Sequence, residues 1–136
     1  MSDPLKMIID HVSLSVSDMA TAKVFYARLL AALGLEVVGE VKDEGAATPD
    51  AVGFGIAPKG QLWLYNDGRQ TPPAHICFRA DTRAQVRAFH AAGIAAGGTD
   101  NGPPGIRQIY HPSYYAAFVK DLEGHNIEAV CFELES

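Results

Sequence analysis

The sequence predicts an α+β protein made of two βαβββ modules. Three observations carry this. The chain repeats itself at about half its length, so that His11-Val12-Ser13-Leu14-Ser15-Val16 lines up with His75-Ile76-Cys77-Phe78-Arg79-Ala80, and Phe25-Tyr26-Ala27 with Phe89-His90-Ala91. Within each copy the apolar residues switch from a two-residue period to a helical one. The C-terminal end reads as a strand hairpin.

The first strand covers residues 8–16, with Val12, Leu14 and Val16 on one face and His11, Ser13 and Ser15 on the other. Asp18 is an N-cap, and Ala22, Phe25, Tyr26, Leu29, Leu30 and Leu33 then recur at helical spacing until Gly34 stops the helix. Extended segments follow at 36–41, 51–57 and 61–66, with Lys59-Gly60 expected as the turn between the last two. Residues 67–73 are rich in Gly, Pro and polar side chains and read as a linker.

The second copy starts at residue 74. Ile76, Phe78 and Ala80 take the buried face, and His75, Cys77 and Arg79 the opposite one. Thr82 and Gln85 have capping-box spacing, Val86, Phe89 and Ala92 form the helical stripe, and Gly93 is expected to end the helix. The Gly/Pro-rich stretch 97–112 is expected to hold one short strand near 106–109. Segments 114–120 and 126–134 form the hairpin, joined by Asp121-Leu122-Glu123-Gly124-His125. The chain is thus expected to be a single domain, with modules at 8–66 and 74–134. One helix per module can cover only one face of its sheet. If the sheets join edge to edge and curve, the helices lie outside and the uncovered faces form a cup.

Composition bounds the function. The chain has 136 residues, 48% of them apolar, and a formal charge of −5. No run of Lys or Arg marks a nucleic-acid or membrane-surface partner, and no apolar stretch is long enough to span a bilayer. The N-terminus lacks a signal pattern, and Cys77 and Cys131 fall on opposite strand faces, against a disulfide. A reduced, cytoplasmic protein is the expectation.

The two equivalent histidines, His11 and His75, should point into the cup. Glu128 lies opposite the apolar face of Ile127, Ala129 and Cys131, where a carboxylate is costly to bury without a countercharge. Two imidazoles and a carboxylate form a facial triad with open coordination positions, as a catalytic divalent metal requires. Each of these residues taken alone reads as a structural histidine or a surface acid. Arg107, His111 and Tyr115, in and after the long loop with Tyr110 and Tyr114, are candidates for catalysis or substrate contact; an aromatic-packed surface loop explains them equally. Cys77 reads as a pocket-lining residue and His90 as helix–sheet packing. His125 is expected in solvent, and Asp121 and Gly124 as turn residues.

Taken together, His11-Val12-x-Leu14-x-Val16-x-Asp18, Phe25-Tyr26 followed by Leu33-Gly34, His75-Ile76-x-Phe78 and Asp121-x-x-Gly124-x-x-Ile127-Glu128 resemble the vicinal oxygen chelate superfamily, over residues 8–133. That group includes glyoxalase I, extradiol dioxygenases, fosfomycin-resistance enzymes and bleomycin-binding proteins. The resemblance implies paired modules around a metal-holding cup, a homodimer, and metal positions at His11, His75 and Glu128. Whether modules exchange between chains is left open. The repeat places Leu64, or Leu62, where glyoxalase I has a fourth ligand, so the pattern resembles the three-ligand members. The expected function is a metal-dependent lyase, isomerase, transferase or ring-cleaving dioxygenase acting on a small oxygen-chelating substrate with Fe2+, Zn2+, Mn2+ or Ni2+. The alternative is a metal-free drug- or metabolite-sequestering protein of the bleomycin-resistance type. A vestigial site serving only folding or dimer assembly is a third possibility.

Overall fold

Residues 8–67, 69 and 71–134 are described by the computed structural model. The chain runs β1 (Val12–Ser15), α1 (Met19–Ala31), β2 (Glu36–Val41), β3 (Ala51–Ile56), β4 (Lys59–Tyr65), β5 (His75–Arg79), α2 (Arg83–Ala95), β6 (Thr99–Ile106), β7 (Tyr115–Lys120) and β8 (Asn126–Cys131). Local chemistry sets the helix starts. The Asp18 side chain accepts from the Thr21 N–H to open α1. Thr82 and Gln85 complete a capping box that opens α2.

Each half forms a mixed four-stranded sheet, in orders β1-β4-β3-β2 and β5-β8-β7-β6. The outer pairs β1–β4 and β5–β8 are parallel, and the other pairs are antiparallel. The α+β class and the two βαβββ units match the sequence expectation. The way the units meet is decided by packing. The two sheets share no ladder among the described residues, and α1 lies against α2. Phe25, Tyr26, Leu29 and Leu30 of α1 join Val86 and Phe89 of α2 in one continuous core. Gly93 was expected to end α2. Instead the helix runs two residues further, and Gly93 is buried where a Cβ would stand 2.9 Å from Leu29 and 3.0 Å from Val119. Its missing side chain lets the helices close.

Three other expectations shift for local reasons. The β3–β4 turn is Ala57-Pro58 rather than Lys59-Gly60; proline lacks the N–H a ladder needs, so it takes the turn. The segment Thr99–Ile106, with Gly-Pro-Pro-Gly inside it, is a strand, while residues 107–110 form a turn. It can pair because β6 is an edge strand whose register breaks twice. His125 is only 1% exposed rather than solvated. The Ala74 N–H donates to its Nδ1 at 3.0 Å, which leaves the proton on a buried Nε2 that has no partner among the described residues.

Trp63 lies on the face of the first sheet away from α1. A Cβ on Gly39, Gly53 or Gly60 would meet its indole at 3.1, 2.6 or 2.8 Å. These glycines form a floor that admits the ring. Gly53→Ala should displace it, shift the emission of the chain's sole tryptophan, and cost about 1–3 kcal/mol through overpacking. An unchanged emission spectrum would show that the glycines do not seat the ring.

Candidate functional site

The open face of the second sheet carries the titratable cluster. Alternation along β5 and β8 puts His75, Cys77 and Arg79 on the side away from α2, together with Glu128 and Val130. Cys77 is directly opposite Glu128, which is directly opposite Phe118 of β7. Glu128 is 2% exposed, whereas the His75 side chain is 54% exposed. His75 Nε2 donates to Glu128 Oε1 at 2.7 Å, and the Tyr114 hydroxyl donates to Glu128 Oε2 at 2.5 Å. Both carboxylate oxygens are therefore satisfied, which is what makes its burial tolerable.

Two neighbours are held protonated near neutral pH. Removal from water, followed by the Glu128 charge, pushes the Cys77 thiol up to about 12. Burial and the bond to Glu128 raise the Tyr114 phenol above its ordinary value of 10.0. Cys77 is therefore a poor nucleophile and Tyr114 a steady hydrogen-bond donor.

His11 is elsewhere. It precedes β1, and its Nδ1 donates to Asp10 Oδ1 at 2.6 Å. Lys59 also pairs with Asp10. The hydrogen bond to His11, then that to Lys59, holds the Asp10 carboxyl below the usual carboxylate range. With Nδ1 donating, the lone pair of a neutral ring is on Nε2, the arrangement typical of metal-binding histidines. One chain thus brings His75 and Glu128 together and leaves His11 apart. No group of three His, Cys, Asp or Glu side chains placed to hold one ion occurs among the described residues.

The loop candidates divide. His111 packs edge-on to Phe132 at 5.8 Å, as does Tyr114 at 5.4 Å, and accepts from the Ser113 N–H. Arg107 reaches over Phe118 on the open face. Tyr115 is on the opposite face of β7, where Arg83 lies 4.9 Å over its ring and Arg87 donates to its hydroxyl at 3.4 Å. The tyrosine at the cluster is Tyr114, one residue earlier; strand alternation distinguishes the two once the start of β7 is known. His90 bonds Asp100 at 2.9 Å, away from this face. The position equivalent to Glu128 in the first module is also corrected. Ser13 pairs with Trp63 as Cys77 pairs with Glu128, so the register assigns Trp63, not Leu64 or Leu62, to that position.

A family model for the Glyoxalase/Bleomycin resistance protein/Dioxygenase superfamily matches residues 8–129. The chain belongs to this superfamily. A member of the glyoxalase/bleomycin resistance group from Albidiferax ferrireducens T118 shares 30% identity with it, covering 92% of this chain and 99% of the other, with a TM-score of 0.76. A glyoxalase/bleomycin resistance protein/dioxygenase family enzyme from Burkholderia phytofirmans PsJN is 19% identical over 92% of this chain and 98% of its own, at TM-score 0.66. Lactoylglutathione lyase from Agrobacterium tumefaciens is 21% identical over 95% of this chain and 96% of its own, at TM-score 0.63. The last two share the glyoxalase/dioxygenase fold. Curated protein sequences give no match.

Divalent metals are common in the glyoxalase/dioxygenase superfamily. His75 and Glu128 converge from neighbouring strands, the second oxygen of Glu128 is held by Tyr114, and the second nitrogen of His11 is held by Asp10. No helix among the described residues is long and apolar enough to cross a membrane.

Proposed function

We propose that the chain is a metal-dependent enzyme acting on a small substrate through vicinal oxygens, and that its site is completed in a homodimer. His75 and Glu128 of one copy and His11 of a second would hold the cation. The observation that carries this is the buried Glu128 carboxylate, bonded to a half-exposed imidazole on an open sheet face. The absence of a ladder between the two sheets among the described residues, with α1 packed on α2, leaves the open face of each module available to a module of a second copy. Bound there, a divalent cation would act as a Lewis acid and stabilise negative charge developing on substrate oxygen. Tyr114 would orient Glu128, Asp10 would orient His11, and the aromatic wall of Phe118 and Phe132 would exclude water.

Mixing tests this directly. Coexpressed His11→Ala and Glu128→Gln chains each lack a ligand. If the site is shared, random pairing restores about a quarter of the wild-type metal, in heterodimers only. A site built within one chain restores none. Elemental analysis of wild type prepared without chelators then assigns the chemistry: iron points to ring-cleaving oxygen chemistry, and zinc, nickel or manganese to lyase, isomerase or transferase chemistry.

The second reading, a metal-free sequestering protein, is favoured by one feature, the Trp63 indole laid flat on its glycine floor as a stacking surface. In that case His11→Ala leaves ligand affinity intact.

A further inference from the structure

Arg107 is seated against a glycine-containing stretch of backbone. Its guanidinium donates to the Gly105 carbonyl at 2.8 Å and to the Pro103 carbonyl at 2.6 Å. A Cβ at Gly102 or at Gly105 would stand 3.1 Å from one of its nitrogens, and Gly102 has a φ of 149° that side chains rarely adopt. The guanidinium also lies 5.4 Å from the Phe118 ring centre. Two carbonyls use two of its five N–H donors and fix its plane, leaving the others for a ligand.

Arg79 stands at the other end of the same row. Gly105, Ala116, Val130 and Arg79 are successive partners across β6, β7, β8 and β5. The row is three strand spacings wide, roughly 14 Å. Its middle is the small, buried Ala116 and Val130, and the next row holds Phe118, Glu128 and Cys77. The Arg79 guanidinium lies 4.9 Å from the Phe132 ring centre. Neither arginine pairs with a carboxylate among the described residues. This is in a chain of formal charge −5, where acids outnumber bases.

We propose that this face binds a substrate bearing an anionic oxygen group, carboxylate or phosphonate, held by Arg107 beside the His75–Glu128 pair, with Arg79 adding positive charge from the far end of the row. The assignment rests on reading this face as the substrate site. A planar guanidinium matches two oxygens of such a group, and the flanking rings suit an apolar body. Stacking of a surface arginine on an aromatic ring is common by itself. It does not account for the seat of two glycines and two carbonyls under Arg107, which holds a cation in place without neutralising it.

Calorimetric titration of the full chain with benzoate, phenylphosphonate and neutral benzamide tests this. At least one anion should bind about tenfold or more tightly than benzamide, and the tighter of the two names the group. Arg107→Met should weaken that anion about tenfold, and Arg79→Met by a smaller factor, without changing the far-UV spectrum, and Arg107→Lys should recover only part of the Arg107→Met loss. Glu128→Gln separates the two proposals. Anion binding that survives it and depends on the arginines upholds the clamp, even if no metal is found. Anion binding that disappears with Glu128→Gln and is indifferent to the arginines overturns it and leaves the metal proposal standing. Benzamide binding as tightly as both anions, or wild-type affinity in both arginine variants, also overturns it.

Discussion

Glu128→Gln is expected to abolish metal retention, from about one equivalent per chain to less than about a tenth. The amide keeps the shape and can still accept from Tyr114, so the fold should survive and the loss can be read as chemistry. Added cation gives a second readout. At about a hundred times its Kd it should raise wild-type stability by about 2.7 kcal/mol and leave the variant unmoved. Tyr114→Phe acts one step out. It removes the 2.5 Å bond that fixes Glu128 Oε2, and about a tenfold loss of metal affinity is expected. Metal bound with unchanged affinity in Glu128→Gln would remove the central acid from the site.

Asp121→Ala should cost about 3–5 kcal/mol, more than a turn residue normally would. The sequence marks Asp121 as part of the hairpin turn, and it is. Its Oδ1 accepts from the Glu123 N–H at 2.9 Å and the His125 N–H at 2.8 Å. Its Oδ2 does something else: it accepts from the buried Tyr26 hydroxyl and ties α1 of the first module to the last hairpin of the second. Truncation orphans two N–H groups and a buried hydroxyl together. Tyr26→Phe removes only the tie, at about 1.5–3 kcal/mol. The pair also gives a pH signature. Burial, then the Asp121 charge, holds the Tyr26 phenol well above its ordinary 10.0. The folded state therefore keeps a proton that the unfolded chain releases near pH 10. Stability from this group is full below that pH and declines as pH rises beyond it. Urea midpoints at pH 8 and pH 10.5 should fall further apart in wild type than in Tyr26→Phe. Equal differences would show that Tyr26 does not carry the effect.

Much of the fold is local and was legible as such. Helix starts follow from Asp18 and from the Thr82–Gln85 box because capping involves residues within three positions of each other. Which face His75 and Glu128 take follows from strand alternation, a two-residue property. The errors cluster where a neighbour decides. Gly93 reads as a helix stop until Leu29 and Val119 are seen to need its space. Gly-Pro-Pro-Gly reads as a loop until β6 is found at a sheet edge, where missing N–H groups cost nothing. Trp63 rather than a leucine matches Glu128 because the turn is at Ala57-Pro58, and a one-residue slip moves every side chain to the other face.

The order of residues alone determined the two modules, their capped helices, and a histidine and a glutamate on one uncovered face. These depend on periodicity and short-range hydrogen bonding, which the chain carries wherever it folds. Tertiary structure alone decided that α1 packs on α2, that His11 stays away from His75 and Glu128 within one chain, that Tyr114 rather than Tyr115 holds the acid, and that Asp121 joins the modules. Each of these depends on which surfaces bury against each other. That is a competition among distant apolar faces whose outcome is a sum over the whole core and is written in no single segment.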